Sequence, residues 1–162
     1  MVKKKVAFLD RDGVINKKPN TGCYVIKKED FVLNPGIVEV LQHLKEGGYE
    51  FILITNQRGI SRGVFSEEDL MNIHDHMVEI LKSFGLIFLD ILYCPHGHNE
   101  CSCRKPKDGM LRKACSIYDI DIEKSILITD SIEEVEMGKR FGVNGYYVPT
   151  DRPGVFINEH KQ

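Results

Sequence analysis

The stretch Phe8-Leu9-Asp10-Arg11-Asp12-Gly13-Val14 contains an apolar strand that stops abruptly at two carboxylates. Carboxylates crowded at the end of a buried strand repel each other and lose hydration unless a cation joins them. Mg²⁺ meets this need, because it prefers oxygen ligands and commonly binds one or two carboxylates together with substrate phosphate. The alternative is a turn in which Asp10 or Asp12 only caps the backbone. The Asp-x-Asp-Gly pattern alone leaves both interpretations open.

Outward from this stretch, short apolar runs alternate with amphipathic helical patterns. Strand-like runs lie at 6–9, 51–55, 87–93, 125–129 and 145–148, and helical patterns at about 35–45, 66–84, 106–118 and 132–141. Such alternation predicts a parallel sheet with helices on both faces. We therefore expect an α/β fold, a three-layer α/β/α Rossmann-like sheet in a single domain over residues 1–162. No gap between the elements is long enough for a large cap domain, and the tail after Pro149 is expected to be a loop with a frayed end.

Composition and charge exclude several classes of protein. The 162 residues have a formal net charge of −2, so no broad attraction to nucleic acid is expected. No apolar run is long enough to span a bilayer, and no segment has the pattern of a signal peptide. An odd number of cysteines, five, argues against a disulfide framework. We expect a cytoplasmic monomer with neither a membrane nor a nucleic-acid partner.

Polar side chains follow four of the predicted strands at their carboxyl ends. Asp10-Arg11-Asp12 follows the first, Thr55 the second, Cys94 the third and Asp130 the fourth. Ligands of open parallel sheets bind beyond these strand ends, so the four clusters should meet at one edge. Asp10, Asp12 and Asp130 then offer oxygen ligands for Mg²⁺, and Lys105 offers a fixed positive charge.

This set of residues suits phosphoryl transfer, which needs a metal ion and cations around the transferred oxygens. The sequence contains no P-loop, so binding of a nucleoside triphosphate is not expected. The nucleophile would then belong to the protein. A carboxylate can take this role by forming an aspartyl-phosphate that water later hydrolyses.

Four motifs in chain order resemble those of the haloacid dehalogenase-like hydrolases. They are Asp10-x-Asp12-Gly-Val, Ile54-Thr55-Asn56-Gln57, Arg104-Lys105-Pro106 and Asp130. Longer stretches, at 9–16, 55–63 and 94–106, are similar to the branch that contains D-glycero-D-manno-heptose 1,7-bisphosphate 7-phosphatase and histidinol-phosphate phosphatase. The similarity covers roughly residues 5 to 148.

The resemblance implies a role for each motif residue. Asp10 would be the nucleophile, and Asp12 would protonate the leaving alkoxide and then deprotonate the attacking water. Mg²⁺ would bind the Asp10 carboxylate, the Asp12 backbone carbonyl and Asp130. Thr55 and Lys105 would hold the phosphoryl group. The remaining substrate contacts would come from Asn56, Gln57, Arg58 and Arg104.

Three positions depart from the family pattern. Thr129 stands where a glycine is usual, and Glu134 stands for the usual aspartate. A Thr129 side chain beside the metal would narrow the pocket or shift Asp130. Arg58 stands where the branch often has serine. It adds a cation near the substrate and would affect which phosphate esters the site binds.

Three thiols and an imidazole cluster between residues 94 and 103. Cys94-x-His96 followed by Cys101-x-Cys103 is the ligand set of a tetrahedral structural Zn²⁺ site, which leaves no open position for water. A loop of free cysteines is the alternative. His98 is a second candidate for the imidazole ligand, and the family pattern favours His96. Zinc would fix the conformation of the loop that carries Arg104 and Lys105.

The leading interpretation is therefore a Mg²⁺-dependent phosphoric monoester hydrolase that forms an aspartyl-phosphate and acts on a small phosphorylated sugar. The resemblance implies the 7-phosphate of D-glycero-D-manno-heptose 1,7-bisphosphate. One alternative is a histidinol-phosphate phosphatase. Another is a non-catalytic, zinc-stabilised interaction domain, suggested by Thr129 and Glu134. His74 and His76 are two positions apart on a helix and are expected at the surface.

Overall fold

The computed structural model describes residues 2–159 and contains five strands and five α-helices in that range. The strands are β1 (Val6–Leu9), β2 (Glu50–Asn56), β3 (Phe88–Cys94), β4 (Ile126–Thr129) and β5 (Asn144–Tyr147). The helices are α1 (Ile37–Glu46), α2 (Glu67–Lys82), α3 (Gly109–Ile117), α4 (Ile132–Phe141) and α5 (Val155–Glu159).

All strand pairs are parallel, and the strand order is β3-β2-β1-β4-β5. β1 lies at the centre, between β2 and β4, and its four residues are completely buried. A strand covered on both faces is apolar throughout, which explains why Val6–Leu9 shows no polar alternation. The central position of β1 puts the Asp10–Asp12 turn in the middle of the sheet's carboxyl edge.

Helices cover both faces of the sheet and form two apolar cores. Ala7 and Leu9 point into the core that α1 and α2 cover, whereas Val6 and Phe8 point into the core of α3 and α4. This alternation follows from the two-residue side-chain period of a strand. The three-layer α/β/α arrangement that the sequence predicts is confirmed.

The segment between Asp12 and α1 forms no cap domain. Its only regular element is a single 3₁₀ turn, Lys28–Asp30. This segment and the loop after β3 therefore border the carboxyl edge of the sheet. Within residues 2–159, no helix combines the length and the apolar character needed to cross a membrane.

The structure corrects the expectation of a loop after Pro149, and the end of that tail, 160–162, where fraying is expected, lies outside the described residues. Residues Val155–Glu159 form the short helix α5, and the Phe156 side chain is buried. The ring of Phe156 packs edge-on against Tyr146, with 5.5 Å between the ring centroids. The buried Phe156 ring, with Ile157 packed against the same core, thus helps to dock a segment whose sequence carries little periodic signal.

Candidate active site

The ammonium group of Lys105 occupies the centre of the carboxyl edge of the sheet. Lys105 Nζ lies 2.8 Å from Asp10 Oδ1 and 2.8 Å from Glu134 Oε1, and it donates a hydrogen bond to the Ile54 carbonyl oxygen at 2.9 Å. Only 2% of the Lys105 side chain is exposed. Burial alone would lower the pKa of Lys105, but Asp10 and Glu134 raise it above its usual value. Lys105 is therefore a buried side chain that keeps its positive charge.

Asp10 is held in an environment that disfavours its negative charge. Burial and the charge of Glu134 raise the pKa of Asp10 well above its usual value, and Asp130 raises it further. Lys105 opposes these effects through its charge and its hydrogen bond. Lys105 beside Asp10 and Glu134, together with Lys18 beside Asp130, does not balance the three carboxylates. The site therefore has an excess of negative charge that a divalent cation would neutralise.

Asp130, which follows β4, is fixed next to the turn after β1. Its Oδ2 atom accepts a hydrogen bond from Thr150 Oγ1 at 2.8 Å and lies 3.3 Å from Lys18 Nζ. A Cβ atom on Gly13 would overlap this same carboxylate oxygen. Gly13 also has a φ angle of +92°, which a glycine adopts without strain. The carboxylates of Asp10 and Asp130, both oxygen donors, therefore fit a Mg²⁺ site.

The two carboxylate oxygens of Asp12 have different surroundings. Oδ1 accepts hydrogen bonds from Arg11 Nη2 at 2.8 Å, Arg11 Nε at 3.2 Å and Asn16 Nδ2 at 2.9 Å. Oδ2 accepts only from Gln57 Nε2 at 3.2 Å among the described residues, and Gln57 Nε2 also binds Thr55 Oγ1. Burial raises the pKa of Asp12, but the Arg11 charge and these hydrogen bonds bring it below its usual value.

His74 is buried, so the expectation that it lies at the surface is wrong. It belongs to the face of α2 that also buries Leu70, Ile73 and Met77, and only 6% of His74 is exposed. The spacing 70, 73, 74, 77 is the signal that predicts this burial. Nε2 of His74 lies 3.1 Å from Arg11 Nη1. Sequence reasoning therefore missed a contact of the Asp10–Asp12 turn.

Thr129 does not narrow the pocket as the sequence suggests. Its side chain is completely buried, and its hydroxyl donates a hydrogen bond to Glu134 Oε1 at 3.2 Å. The same hydroxyl accepts one from the backbone N–H of Ser131 at 3.1 Å. Thr129 therefore orients Glu134 toward Lys105, and the two departures from the family motif are in direct contact with each other.

The residues predicted to contact substrate have different partners. Asn56 binds the backbone of Lys105 twice: Asn56 Nδ2 donates to the Lys105 carbonyl oxygen at 3.1 Å, and the Lys105 N–H donates to Asn56 Oδ1 at 3.0 Å. Arg104 Nη1 is buried and has no hydrogen-bond partner within residues 2–159. Arg58 is half-buried next to Gln57. A substrate contact for each of these residues stays a prediction.

The predicted zinc ligands form one cluster. The Sγ atoms of Cys94, Cys101 and Cys103 and a ring nitrogen of His96 all lie within 4.8 Å of one another. The Sγ–Sγ distances are 3.0 to 3.4 Å, shorter than the roughly 3.7 Å between thiolates on a tetrahedral zinc. The backbone N–H of Arg104 donates to Cys101 Sγ at 3.3 Å. The cluster is compatible with structural zinc, and the chain runs from it directly into Arg104.

Comparison with known proteins agrees with this geometry. Residues 5–141 match the family model described as polynucleotide kinase 3 phosphatase. The chain is 42% identical, over 93% of its length and 86% of the relative, to the D-glycero-alpha-D-manno-heptose-1,7-bisphosphate 7-phosphatase of Photorhabdus laumondii. It is 35% identical, over 97% of its length and 90% of the relative, to the D-glycero-beta-D-manno-heptose-1,7-bisphosphate 7-phosphatase of Rhodopseudomonas palustris.

A solved structure shares the fold over almost the whole chain. The D,D-heptose 1,7-bisphosphate phosphatase from B. bronchiseptica, complexed with magnesium and phosphate, is 30% identical, with a TM-score of 0.84. The match covers 97% of this chain and 87% of that structure. These comparisons confirm the resemblance that the four motifs indicate.

Proposed function

The chain belongs to the polynucleotide kinase 3 phosphatase family of haloacid dehalogenase-like phosphatases, and we propose that it hydrolyses the 7-phosphate of D-glycero-D-manno-heptose 1,7-bisphosphate. It is a phosphoric monoester hydrolase, as its relatives are. One observation carries the catalytic proposal: Lys105 Nζ lies 2.8 Å from Asp10 Oδ1 in a buried site. A buried lysine that pairs with a carboxylate at a strand end is suited to bind a phosphoryl oxygen while that carboxylate attacks phosphorus.

In the first step, Asp10 attacks phosphorus and the bond from phosphorus to the sugar oxygen breaks. Lys105 holds a phosphoryl oxygen and limits the charge repulsion between Asp10 and the incoming phosphate. Thr55, buried at the end of β2, offers its hydroxyl to another phosphoryl oxygen. Mg²⁺ bound by the Asp10 and Asp130 carboxylates and the Asp12 backbone carbonyl would supply further positive charge to the transferred group.

Proton transfer in both steps belongs to Asp12. Asp12 has to be protonated for this step, although the Arg11 charge and its hydrogen bonds favour the carboxylate. The protonated carboxyl group gives its proton to the departing sugar oxygen, which leaves as an alcohol. The resulting Asp12 carboxylate then takes a proton from the water that attacks the aspartyl-phosphate. The bond from phosphorus to Asp10 breaks, inorganic phosphate leaves, and both aspartates return to their starting state.

The cations around the site support a substrate that carries a second phosphate. Arg58 is half-buried beside Gln57, and Arg104 has one buried nitrogen without a partner in the described part of the chain. Positive charges of this kind favour a bisphosphate and repel the ammonium group of histidinol phosphate. The absence of a cap domain leaves an open site, which suits a sugar with many polar groups.

We further propose that the chain acts as a single cytoplasmic domain and as a monomer. All the residues assigned to catalysis, and all four zinc ligands, come from one copy of the chain. Zinc would fix the loop that ends in Arg104 and Lys105, because Cys101 Sγ already accepts the backbone N–H of Arg104.

The test is phosphate release from a panel of heptose, hexose and histidinol phosphates in the presence of Mg²⁺. We expect the heptose 1,7-bisphosphate to have the highest kcat/KM. Asp10→Asn should abolish turnover, whereas Asp119→Asn, a matched change at an exposed position, should not. Wild-type turnover by a folded Asp10→Asn protein would show that Asp10 is not the nucleophile. A higher kcat/KM for histidinol phosphate would overturn the substrate assignment.

A further inference from the structure

Arg11, the residue between the two motif aspartates, is buried completely, although arginine is rarely found without exposed atoms. Its guanidinium group has a partner on each of its three nitrogens. Nε and Nη2 donate to the same atom, Asp12 Oδ1, at 3.2 and 2.8 Å. Nη1 lies 3.1 Å from Nε2 of His74, on helix α2. The side chain therefore links the turn after β1 to the buried face of a helix.

His74 must be neutral in this contact. A guanidinium group has only donors, so Nε2 of His74 has to accept the hydrogen bond, and the proton of the neutral ring lies on Nδ1. Burial and the adjacent Arg11 charge also lower the pKa of His74 to about 3. His74 is thus a permanent acceptor for Arg11 at neutral pH.

The contact fixes the rotation of the Asp12 carboxylate. Oδ1 accepts three hydrogen bonds, two from Arg11 and one from Asn16. Oδ2 accepts one, from Gln57, and is the oxygen with capacity left for a proton. A carboxylate with one saturated and one open oxygen can exchange a proton in a single direction, and such orientation is a large part of acid–base catalysis.

We propose that Arg11 and His74 are positioning residues that turn Asp12 so that Oδ2 exchanges protons with the leaving group. The proposal deepens the proposed function and rests on it, because it assigns the geometry of the proton donor in the first step. Within residues 2–159, His74 has no hydrogen bond to Asp12, and its contact with the motif is the one to Arg11.

A comparison of two leaving groups tests this role. A sugar alkoxide is a poor leaving group and needs the proton from Asp12, whereas 4-nitrophenolate leaves without it. The ratio kcat/KM reports the steps up to formation of the aspartyl-phosphate, in which this proton moves. A residue that only maintains the fold would affect both substrates equally.

His74→Leu removes the acceptor and leaves an apolar side chain of similar size. We expect its kcat/KM to fall about tenfold or more for the best sugar phosphate of the wild-type panel. For 4-nitrophenyl phosphate the fall should be much smaller. His74→Gln places an amide oxygen close to the position of Nε2 and should restore most of the kcat/KM that His74→Leu loses on the sugar phosphate.

Two further variants keep the test decisive. His76→Leu makes the same change two residues away, at a half-buried histidine that packs against Phe31, and should not alter the ratio between the substrates. If His74→Leu does not fold, His74→Asn replaces it, because the shorter amide cannot reach Arg11. Equal losses on both substrates, or no loss on either, would overturn the positioning role. If the wild-type protein hydrolyses no phosphate ester, the proposed function itself fails and the inference falls with it.

Discussion

The side chain of Asn56 binds both peptide groups of Lys105, although the two residues are 49 positions apart in the chain. Asn56 is the last residue of β2, and Lys105 follows the cysteine and histidine cluster at 94–103 in the loop before α3. The pair of hydrogen bonds therefore ties the loop to the sheet at the point where the Lys105 side chain turns inward to Asp10. Two sets of contacts hold this loop. Asn56 binds it to the sheet, and the cysteine cluster holds the loop together internally.

Replacing Asn56 by leucine should misplace Lys105 without changing its charge. Both hydrogen bonds are lost, and the buried backbone groups of Lys105 lose their partners. We expect the free energy of unfolding to fall by about 1–3 kcal/mol. We expect kcat/KM to fall about tenfold or more, because small errors in position have large effects on catalysis. Steady-state kinetics and urea unfolding measure the two effects. Asn72→Leu, at an exposed position of α2, is the control, and equal kinetics for the two variants would contradict the prediction.

Thr150→Val should weaken Mg²⁺ binding. The Thr150 hydroxyl donates to Asp130 Oδ2 at 2.8 Å and restricts the orientation of that carboxylate. Loss of a partner that orients a metal ligand typically lowers metal affinity about 10–100-fold. We therefore expect the Mg²⁺ concentration for half-maximal activity to rise by about tenfold, with kcat at saturating Mg²⁺ little changed. Thr21→Val, on the exposed loop, should leave the titration curve where it is. An unchanged Mg²⁺ titration curve for Thr150→Val would show that Thr150 does not orient a metal ligand.

Loss of the zinc cluster should lower activity through the position of Lys105. Cys101→Ser removes one of the four clustered ligands and the sulfur that accepts the backbone N–H of Arg104. We expect reduced zinc content by metal analysis, a lower melting temperature and reduced kcat/KM, while the carboxylates that bind Mg²⁺ stay unchanged. Cys115→Ser, on α3 outside the cluster, should retain zinc and activity. Full activity in a protein shown to contain no zinc would refute this role.

The sequence predicts the sheet, its layers and the convergence at its carboxyl edge because these features are local. Apolar runs mark the buried strands β1, β2 and β4, and the polar residue that follows each run is fixed by chain connectivity. The parallel arrangement then brings Asp10, Thr55 and Asp130 to one edge, whatever the details of the loops. The four zinc ligands are equally local, since they lie within ten residues of one another.

Contacts that depend on loop conformation cannot be predicted from the sequence in the same way. Nothing in the sequence near Asn56 or Thr150 specifies that they bind Lys105 and Asp130, because each contact joins segments placed by separate loops. His74 is a different case: its spacing from Leu70 and Met77 indicates a buried helix face, whereas the prediction of a surface position rests on its two-residue spacing from His76. A polar residue on an apolar face is itself a signal of a buried partner.

The stability of the protein should depend on pH through His74. In the folded protein, burial and the Arg11 charge lower the pKa of His74 to about 3, against 6.5 for an ordinary histidine. The unfolded chain therefore takes up a proton as the pH falls below 6.5, while the folded protein does not until about pH 3. The contribution of neutral His74 is complete above pH 6.5 and is lost as the pH falls toward 3.

Between pH 7.5 and 5 the wild-type protein should lose about 2 kcal/mol more stability than His74→Gln, which has no ionisable group there. Urea unfolding at the two pH values measures this difference, and His43→Gln, at a half-buried position of α1, is the matched control. If the difference between the wild-type protein and His74→Gln were the same at both pH values, His74 would not be held neutral against Arg11.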